Sequence, residues 1–237
     1  MLEYLARGAS VYGIRLSDEQ LEQFSRYLDL IADWSQRVNL VADSNPDIVA
    51  RRHILESIAL GAALREREIL RPGMRVLDLG AGAGFPGLVL KIVWPSIALT
   101  LLDATAKKTA FLTAVVDALG LDNTDVLTGR AESLAHDTTL RATFDLVVAR
   151  AVAPLRTLLE IAMPFARVGG RVASPKGSRA SDEIAAASNA LAILGGKLYS
   201  MPLRVSGPPQ TLVVVAKQRE TPPEYPRRPG VPATSPL

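Results

Sequence analysis

The sequence predicts an α/β fold with a mostly parallel sheet, a helical segment before it and a proline-rich tail after it. Three observations carry this reading. From Arg75 onward, short β-rich runs (RVLDLG, IALTLLD, TDVLTG, FDLVVARA and GRVASPKG) alternate with helical stretches such as Ala106–Leu119 and Leu155–Ala166. Alternating strands and helices make βαβ units and a parallel sheet. Before Arg71, by contrast, apolar residues recur at helical spacing, as in Leu21, Phe24, Leu28, Ile31 and Trp34. The first β-rich run also leads straight into a glycine-rich turn, LDLGAGAGFPG, Leu77 to Gly87.

The elements follow in order. Ser17-Asp18-Glu19-Gln20 reads as a capping box, a Ser N-cap with Gln three residues on. Asn45-Pro46-Asp47 is a turn and a new helix start. Ile48, Ile54, Leu55, Ile58 and Leu60 continue a helical stretch through about Arg67. Arg71-Pro72-Gly73 marks the change to strands. Near the end, LYSMPLRV and TLVVVAKQ flank Ser206-Gly207-Pro208-Pro209, predicting two antiparallel strands added at a sheet edge. From Thr221 the chain is too proline-rich for helix or central strand. It reads as a loose end, or as an arm that packs near a site or meets RNA. The expected organisation is a helical cap over 1–70, a sheet domain over 71–220 and a tail over 221–237, integrated into one domain.

Composition narrows the chemistry. The chain has 237 residues, 48% of them hydrophobic, enough for a sizeable core. It has no cysteine and only two histidines. That removes disulfides, Cys-ligated metal and a cysteine nucleophile, and disfavours a His-built metal site, so no metal is expected. A formal net charge of +3 fits an RNA partner without requiring one. The N-terminal MLEYLARGASVYG carries charges where a signal peptide needs an apolar stretch. No run approaches the roughly 20 apolar residues of a membrane span. A cytoplasmic protein without membrane contact is expected. A monomer is expected because no strong apolar surface stripe is evident.

The glycine loop holds the first functional clue. Gly80, Gly82 and Gly84 allow a tight turn and close backbone approach to a ligand. A dinucleotide loop would place its third glycine at 85, which is Phe85. Asp78 would also oppose a pyrophosphate. S-adenosylmethionine fits better: it has no phosphate, and its sulfonium and ammonium are both positive. Asp78 then lies beside the cationic half, and Asp103, ending the second strand, faces the ribose hydroxyls. Asp103 alone does not discriminate, because nicotinamide enzymes use the same device. A nicotinamide dinucleotide site and a turn that merely packs helix on sheet are the competing readings.

The acceptor is narrowed by absences. Cytosine-C5 methylation needs a cysteine nucleophile. Exocyclic-amine methylation often uses an Asn/Asp-Pro-Pro-aromatic motif after the fourth strand, where this chain has ARAVAPL, Ala149 to Leu155. A ring nitrogen such as guanine N7 carries a free in-plane lone pair and needs alignment rather than a general base. An oxygen acceptor with an Asp or Lys base stays open on residues alone. Arg150 and Lys176 follow the fourth and fifth strands, at the carboxyl edge where open α/β sheets bind ligands. Arg150 positions the target nucleotide or its phosphate, or is a structural salt bridge; Lys176 contacts RNA phosphate or the cofactor–substrate junction, or is a solvated loop lysine.

Several separated motifs resemble one family, the RsmG (GidB) 16S rRNA guanine-N7 methyltransferases. They are GAGAGFPG, LLDATAKKTAFL (Leu101 to Leu112), GRAE (Gly129 to Glu132), Ala149-Arg150-Ala151 and Lys176-Gly177. WSQRVNLV, RRHILES and YPRRPGVP extend the resemblance over nearly the whole chain. It implies a Rossmann-like class I S-adenosylmethionine-dependent methyltransferase fold, with a seven-stranded, mostly parallel sheet and an N-terminal helical extension. It implies methyl transfer to N7 of one guanine in 16S rRNA, free or in the small ribosomal subunit. It places Phe85 in the cofactor loop, Ala131 and Glu132 beside the adenine, and Arg150 at both cofactor and acceptor. It makes Asn39 and His53 pocket residues. Arg51, Arg52, Lys176, Arg227 and Arg228 become candidate RNA contacts. Lys107 and Lys108 read as a solvated helix face, and Trp34 as core. The chain departs from the family pattern at Val41, where a threonine is usual, at Glu56, where aspartate is usual, and in the lysine-poor ending ATSPL. The other classes kept open are a non-enzymatic RNA binder with a relic pocket and a small-molecule methyltransferase. A basic groove joining Arg150, Lys176 and the tail argues against the latter.

Overall fold

The computed structural model describes residues 1–237. The N-terminal part is helical: α1 (Leu2–Ser10), α2 (Asp18–Trp34), α3 (Pro46–Val49) and α4 (Leu55–Glu66), with a π-helical turn, Ala50–Ile54, joining α3 to α4. The capping box forms: Ser17 Oγ accepts from Gln20 N–H, and the Gln20 side chain accepts from Ser17 N–H. Asn45 caps α3, with Pro46 at its first position.

Strands β1 (Arg75–Leu79), β2 (Ala98–Asp103), β3 (Thr124–Thr128), β4 (Phe144–Val148) and β5 (Ala166–Lys176) alternate with α5 (Gly87–Val93), α6 (Ala106–Leu119), α7 (Ala131–Leu134) and α8 (Leu155–Ala162). Then come α9 (Ala180–Ala186), α10 (Ser188–Leu194), β6 (Gly196–Leu203), β7 (Gln210–Lys217) and a last turn, α11 (Val231–Thr234). The seven strands lie in the order β3-β2-β1-β4-β5-β7-β6. The first five pair in parallel, and β7 and β6 add antiparallel at one edge. This is the Rossmann-like order, with its reversal between β1 and β4, where open sheets open a ligand crevice.

The helix expected to run from Leu155 to Ala166 stops at Ala162. Pro164 brings no N–H and restricts the residue before it, and Ala166 already pairs with Phe144 in the sheet.

One apolar core runs from Leu5, Phe24 and Ile31 of the helical segment to Leu88, Phe111 and Leu146 of the sheet domain. A second, on the opposite face, gathers Phe144, Leu158 and Phe165. The helical segment is thus packed onto one face of the sheet rather than hung beside it. Trp34 meets Phe111 edge-on at 5.7 Å, the core role expected of it. Gln20 also ties α2 to the end of α5, donating to the Ile92 and Val93 carbonyls at 2.8 and 3.2 Å.

Candidate functional site

The glycine loop leaves β1 at the switch point, and each glycine there has its own reason. Gly80, Gly82 and Gly84 all have positive φ (72°, 58° and 93°). A Cβ on Gly82 would meet only the Gly80 carbonyl oxygen, at 3.8 Å, so space stands open above this backbone. A Cβ on Gly84 would lie 2.3 Å from Leu88 and 2.7 Å from the Tyr27 hydroxyl. Packing under the loop therefore requires glycine at 84. Gly80 is blocked by Val152, 2.7 Å from its would-be Cβ.

Asp103 fixes the loop from below. Its Oδ2 accepts from Gly82 N–H at 3.0 Å and its Oδ1 from Thr105 N–H at 2.8 Å. A carboxylate has about four lone-pair sites, so both oxygens keep acceptor capacity for hydroxyls above. Asp103, Gly80, Ala131 and Glu132 all line a cavity of ≈ 210 Å³. Its remaining walls are Leu79, Leu102, Ala104, Gly129, Arg130, Val152, Ala153, Thr157, Ile161 and Ala233. Burial pushes the Glu132 carboxyl up, but the Arg130 hydrogen bond (2.6 Å) and backbone donors outweigh it and hold it below its ordinary value. Glu132 lies in the first turn of α7, where its charge complements the helix dipole, and lines the cavity.

Asp78, one residue before the cavity residue Leu79, is itself absent from the cavity's walls. It is fully buried, and its Oδ2 accepts from Gly87 N–H at 2.7 Å. Its Oδ1 has no partner. Burial raises its pKa to about 7, against the pull of the Gly87 hydrogen bond and the Arg150 charge, with Asp103 adding to the rise. A buried carboxylate oxygen without a donor is what a cationic ligand group would satisfy.

In front of the loop is a second, larger cleft of ≈ 750 Å³. The π-helical turn brings Arg52 and His53, and the start of α4 brings Glu56, to one side of it; the loop after β4 brings Arg150 and the end of β5 brings Lys176 to the other. The β6–β7 connection adds Pro208 and Pro209. Arg150 is the hub. Its guanidinium lies over the Phe85 ring at 5.5 Å, donates to Arg52 O at 3.2 Å, reaches Glu56 at 3.4 Å and hydrogen-bonds His53 Nδ1. The His53 ring also stacks on Phe85, with ring centroids 5.0 Å apart. Burial, followed by the Arg150 and Arg52 charges, lowers the His53 pKa to about 4. The imidazole is therefore neutral near pH 7, and its Nδ1 accepts from Arg150. Ala151, next in the chain, sits in the left-handed region (φ 57°), the kind of strained backbone that clusters at functional sites.

The structure corrects several expectations. Arg150 faces the second cleft and is absent from the walls of the first cavity, because its bonds to the π-helical turn pull it away. Phe85 likewise is packed between Tyr27 (5.5 Å) and His53 rather than lining the cavity. Lys176 is not a free phosphate contact: it is buried, donates to Ala153 O at 2.7 Å and pairs with Glu183 at 2.9 Å. Arg227 is taken up by Glu160, with Nε and Nη2 at 2.8 and 2.6 Å. The basic groove therefore joins Arg150 and Lys176 but not the tail arginines. Asn39 is exposed and lines neither space. Arg51 lies over Tyr4 at 5.6 Å, outside the cleft that holds its neighbour Arg52. Arg228 is exposed, and Lys107 is exposed at the start of α6.

Sequence reasoning missed Tyr27. Its hydroxyl is buried and hydrogen-bonds the Ala83 carbonyl inside the glycine loop. Burial and the neighbouring Asp78 charge hold its pKa well above the ordinary value, so it stays a protonated donor. It was hidden in the apolar stripe of α2. Val152 and Ala153, which line both spaces, were also missed.

Comparison with known proteins agrees with this architecture. The model for GidB, the rRNA small subunit methyltransferase G family, matches residues 20–212. A protein described as ribosomal RNA small subunit methyltransferase G from Lactococcus lactis subsp. cremoris is 40% identical over 233 residues, 95% of this chain and 94% of that protein. One of the same description from Roseiflexus castenholzii is 40% identical over 238 residues, covering all of both chains. Among solved structures, precorrin-6y C5,15-methyltransferase from Geobacter metallireducens aligns with a TM-score of 0.52 at 13% identity, over 76% of this chain and 91% of that one. M. jannaschii TYW2 in complex with AdoMet aligns at 0.50 and 16% identity, over 67% and 74%. Such distant likeness speaks for the fold alone. Full-length identity speaks for more: the chain belongs to the rRNA small subunit methyltransferase G family, whose members are S-adenosylmethionine-dependent rRNA methyltransferases.

Proposed function

We propose that this protein transfers a methyl group from S-adenosylmethionine to N7 of one guanine in 16S rRNA, by direct in-line displacement and without a covalent enzyme intermediate. The observation that carries the reading is the shared wall: Val152 and Ala153 line both the loop cavity and the polar cleft before it. A donor held in the first and a base held in the second would meet there.

The residues fit the cofactor. Gly82 leaves open space above its backbone, Asp103 has acceptor capacity for ribose hydroxyls, and Asp78 has a buried oxygen awaiting a cation. S-adenosylmethionine supplies a methyl on a sulfonium; as the N7–carbon bond forms the carbon–sulfur bond breaks, and the positive charge passes to the purine. The protein's task is alignment. No proton leaves N7, so no base is needed, and the cleft holds none that is free: His53 is neutral but its Nδ1 is engaged by Arg150. Arg150, clamped by His53, Glu56 and the Arg52 carbonyl, offers a fixed guanidinium edge to a nucleotide. Arg52 and Arg179, both exposed on the cleft, are suited to backbone phosphates. The cleft is open and charged rather than closed and apolar, which favours RNA over a small-molecule acceptor. The helical segment 1–70 serves as the cap that forms one side of this cleft.

The test is methyl transfer from labelled S-adenosylmethionine to small subunits lacking the modification, with the product mapped by N7-methylguanine-selective strand cleavage. A single cleaved guanine supports the reading. Transfer without such cleavage moves the acceptor to another atom. Naked 16S rRNA, run alongside, separates recognition of sequence from recognition of the folded particle.

A further inference from the structure

The proline-rich tail is built into the cofactor side of the molecule. Arg141 donates to the Tyr225, Thr221 and Pro222 carbonyls at 2.8, 3.0 and 3.1 Å. His136 hydrogen-bonds Pro226 O at 2.8 Å. Further on, Glu160 of α8 is fully buried, and a single residue, Arg227, satisfies it with its N–H, Nε and Nη2. Arg227 then reaches forward to Ser235 O at 2.7 Å, bracing the turn α11.

Two anchors of this tail are themselves cavity residues. Thr157 Oγ1 donates to Pro232 O at 2.9 Å, and Glu132 Oε1 accepts from Gly230 N–H at 3.3 Å. Thr157 and Glu132 both line the cavity above Asp103. Thr157, Glu160 and Ile161 lie three and four residues apart, on one face of α8, so the face that walls the cavity is the face that grips the tail. Directly after the Pro232 anchor, Ala233 is presented, exposed, to the same cavity.

We propose that the C-terminal tail is a wall of the S-adenosylmethionine site. Ala233 closes the cavity on the side of Glu132, its small side chain leaving the room the cofactor needs, and the Glu160–Arg227 pair is the positioning device that holds the wall. This inference rests on the cavity being the cofactor's and is independent of which RNA atom is methylated. It gives Arg227 a task other than gripping phosphate.

The test is calorimetric titration of the full chain with S-adenosylmethionine and with S-adenosylhomocysteine. Overfilling a packed site costs enough to weaken binding about tenfold or more, so Ala233→Phe should raise Kd for both ligands by that factor. Its melting temperature and its KM for small subunits should stay those of the wild type. Arg227→Lys keeps a cation near Glu160 but cannot reproduce the fork, and should raise both Kd values by a smaller factor. Unchanged Kd in a folded Ala233→Phe protein overturns the proposal. So does a raised KM for small subunits with unchanged Kd, the behaviour of an RNA-gripping arm. Should Ala233→Phe fail to fold, Arg227→Lys decides alone by the same two readouts. Wild-type protein that binds neither ligand would instead remove the cofactor reading itself.

Discussion

The cofactor cavity and the acceptor cleft share Val152 and Ala153, but they are held in shape by different means. The cavity is shaped by backbone: positive-φ glycines, a carboxylate on loop N–H groups, and a tail pinned by its carbonyls. The cleft is shaped by side chains that bind one another: Arg150 to His53 and Glu56, Lys176 to Glu183. A backbone-built site is fixed before its ligand arrives. In the cleft the paired cations hold the walls, and the exposed, unpaired Arg52 and Arg179 are left to meet the phosphates of a large polyanion.

The difference predicts where substitutions act. The largest effect should come from Gly82→Val. A branched residue at φ 58° is strained by about 1–2 kcal/mol, and its side chain would fill the open approach. S-adenosylmethionine binding should be lost in a protein that still melts cooperatively; unchanged affinity by calorimetry would make the loop assignment wrong. Next is Gly87→Ala. The new Cβ would lie 2.6 Å from Asp78 Oδ2 and 2.8 Å from Leu101, so overpacking should cost about 1–3 kcal/mol of stability in chemical denaturation.

A smaller effect concerns pH. Burial raises Asp78 from 3.8 to about 7, so the folded protein holds this proton more tightly than the unfolded chain. Its contribution to stability is therefore full below about pH 4 and is lost as pH rises through 7. Cofactor binding should run the other way, because only the ionised carboxylate attracts a cation. Affinity should grow between pH 6 and 8, by at most about tenfold per pH unit, and Asp78→Asn should flatten that slope. An equal slope in Asp78→Asn would place the titrating group elsewhere. The smallest effect separates free from paired cations. Arg52→Ala should weaken RNA binding and lower its salt slope by about one, whereas Lys176→Met should leave the slope alone.

What the sequence made legible follows the same division. The strands, α6 and the capping box of α2 were readable because each depends on local pattern: alternation with helices, 3.6-residue spacing, Ser and Gln three apart. The turn at Gly80 and Gly82 was readable because positive φ calls for glycine locally, and the place of Asp103 because it ends a strand. The place of Arg150 at the carboxyl edge of the sheet was readable, but the cleft it faces was not, since that depends on a partner 97 residues away, His53. Lys176 looked free because Glu183 reaches it only once α9 folds back. Tyr27 was hidden because a buried phenol in an apolar stripe looks like any core aromatic until its hydroxyl finds the Ala83 carbonyl. Arg227 was read as an RNA contact because no local pattern couples it to Glu160.

The central claim is that cofactor and acceptor occupy two separate spaces that meet at Val152 and Ala153, with Arg150 wholly on the acceptor side. The most direct measurement is Arg150→Ala, with S-adenosylmethionine affinity by calorimetry and methyl transfer to small subunits at saturating cofactor, on one preparation. Above about pH 8, where Asp78 is ionised and loss of the Arg150 charge no longer changes its protonation, the account predicts unchanged cofactor Kd and transfer slowed by roughly 100-fold, the scale of losing a fixed positioning donor. Parallel loss of cofactor affinity and transfer would contradict it, and would return Arg150 to the cofactor site or to the scaffold.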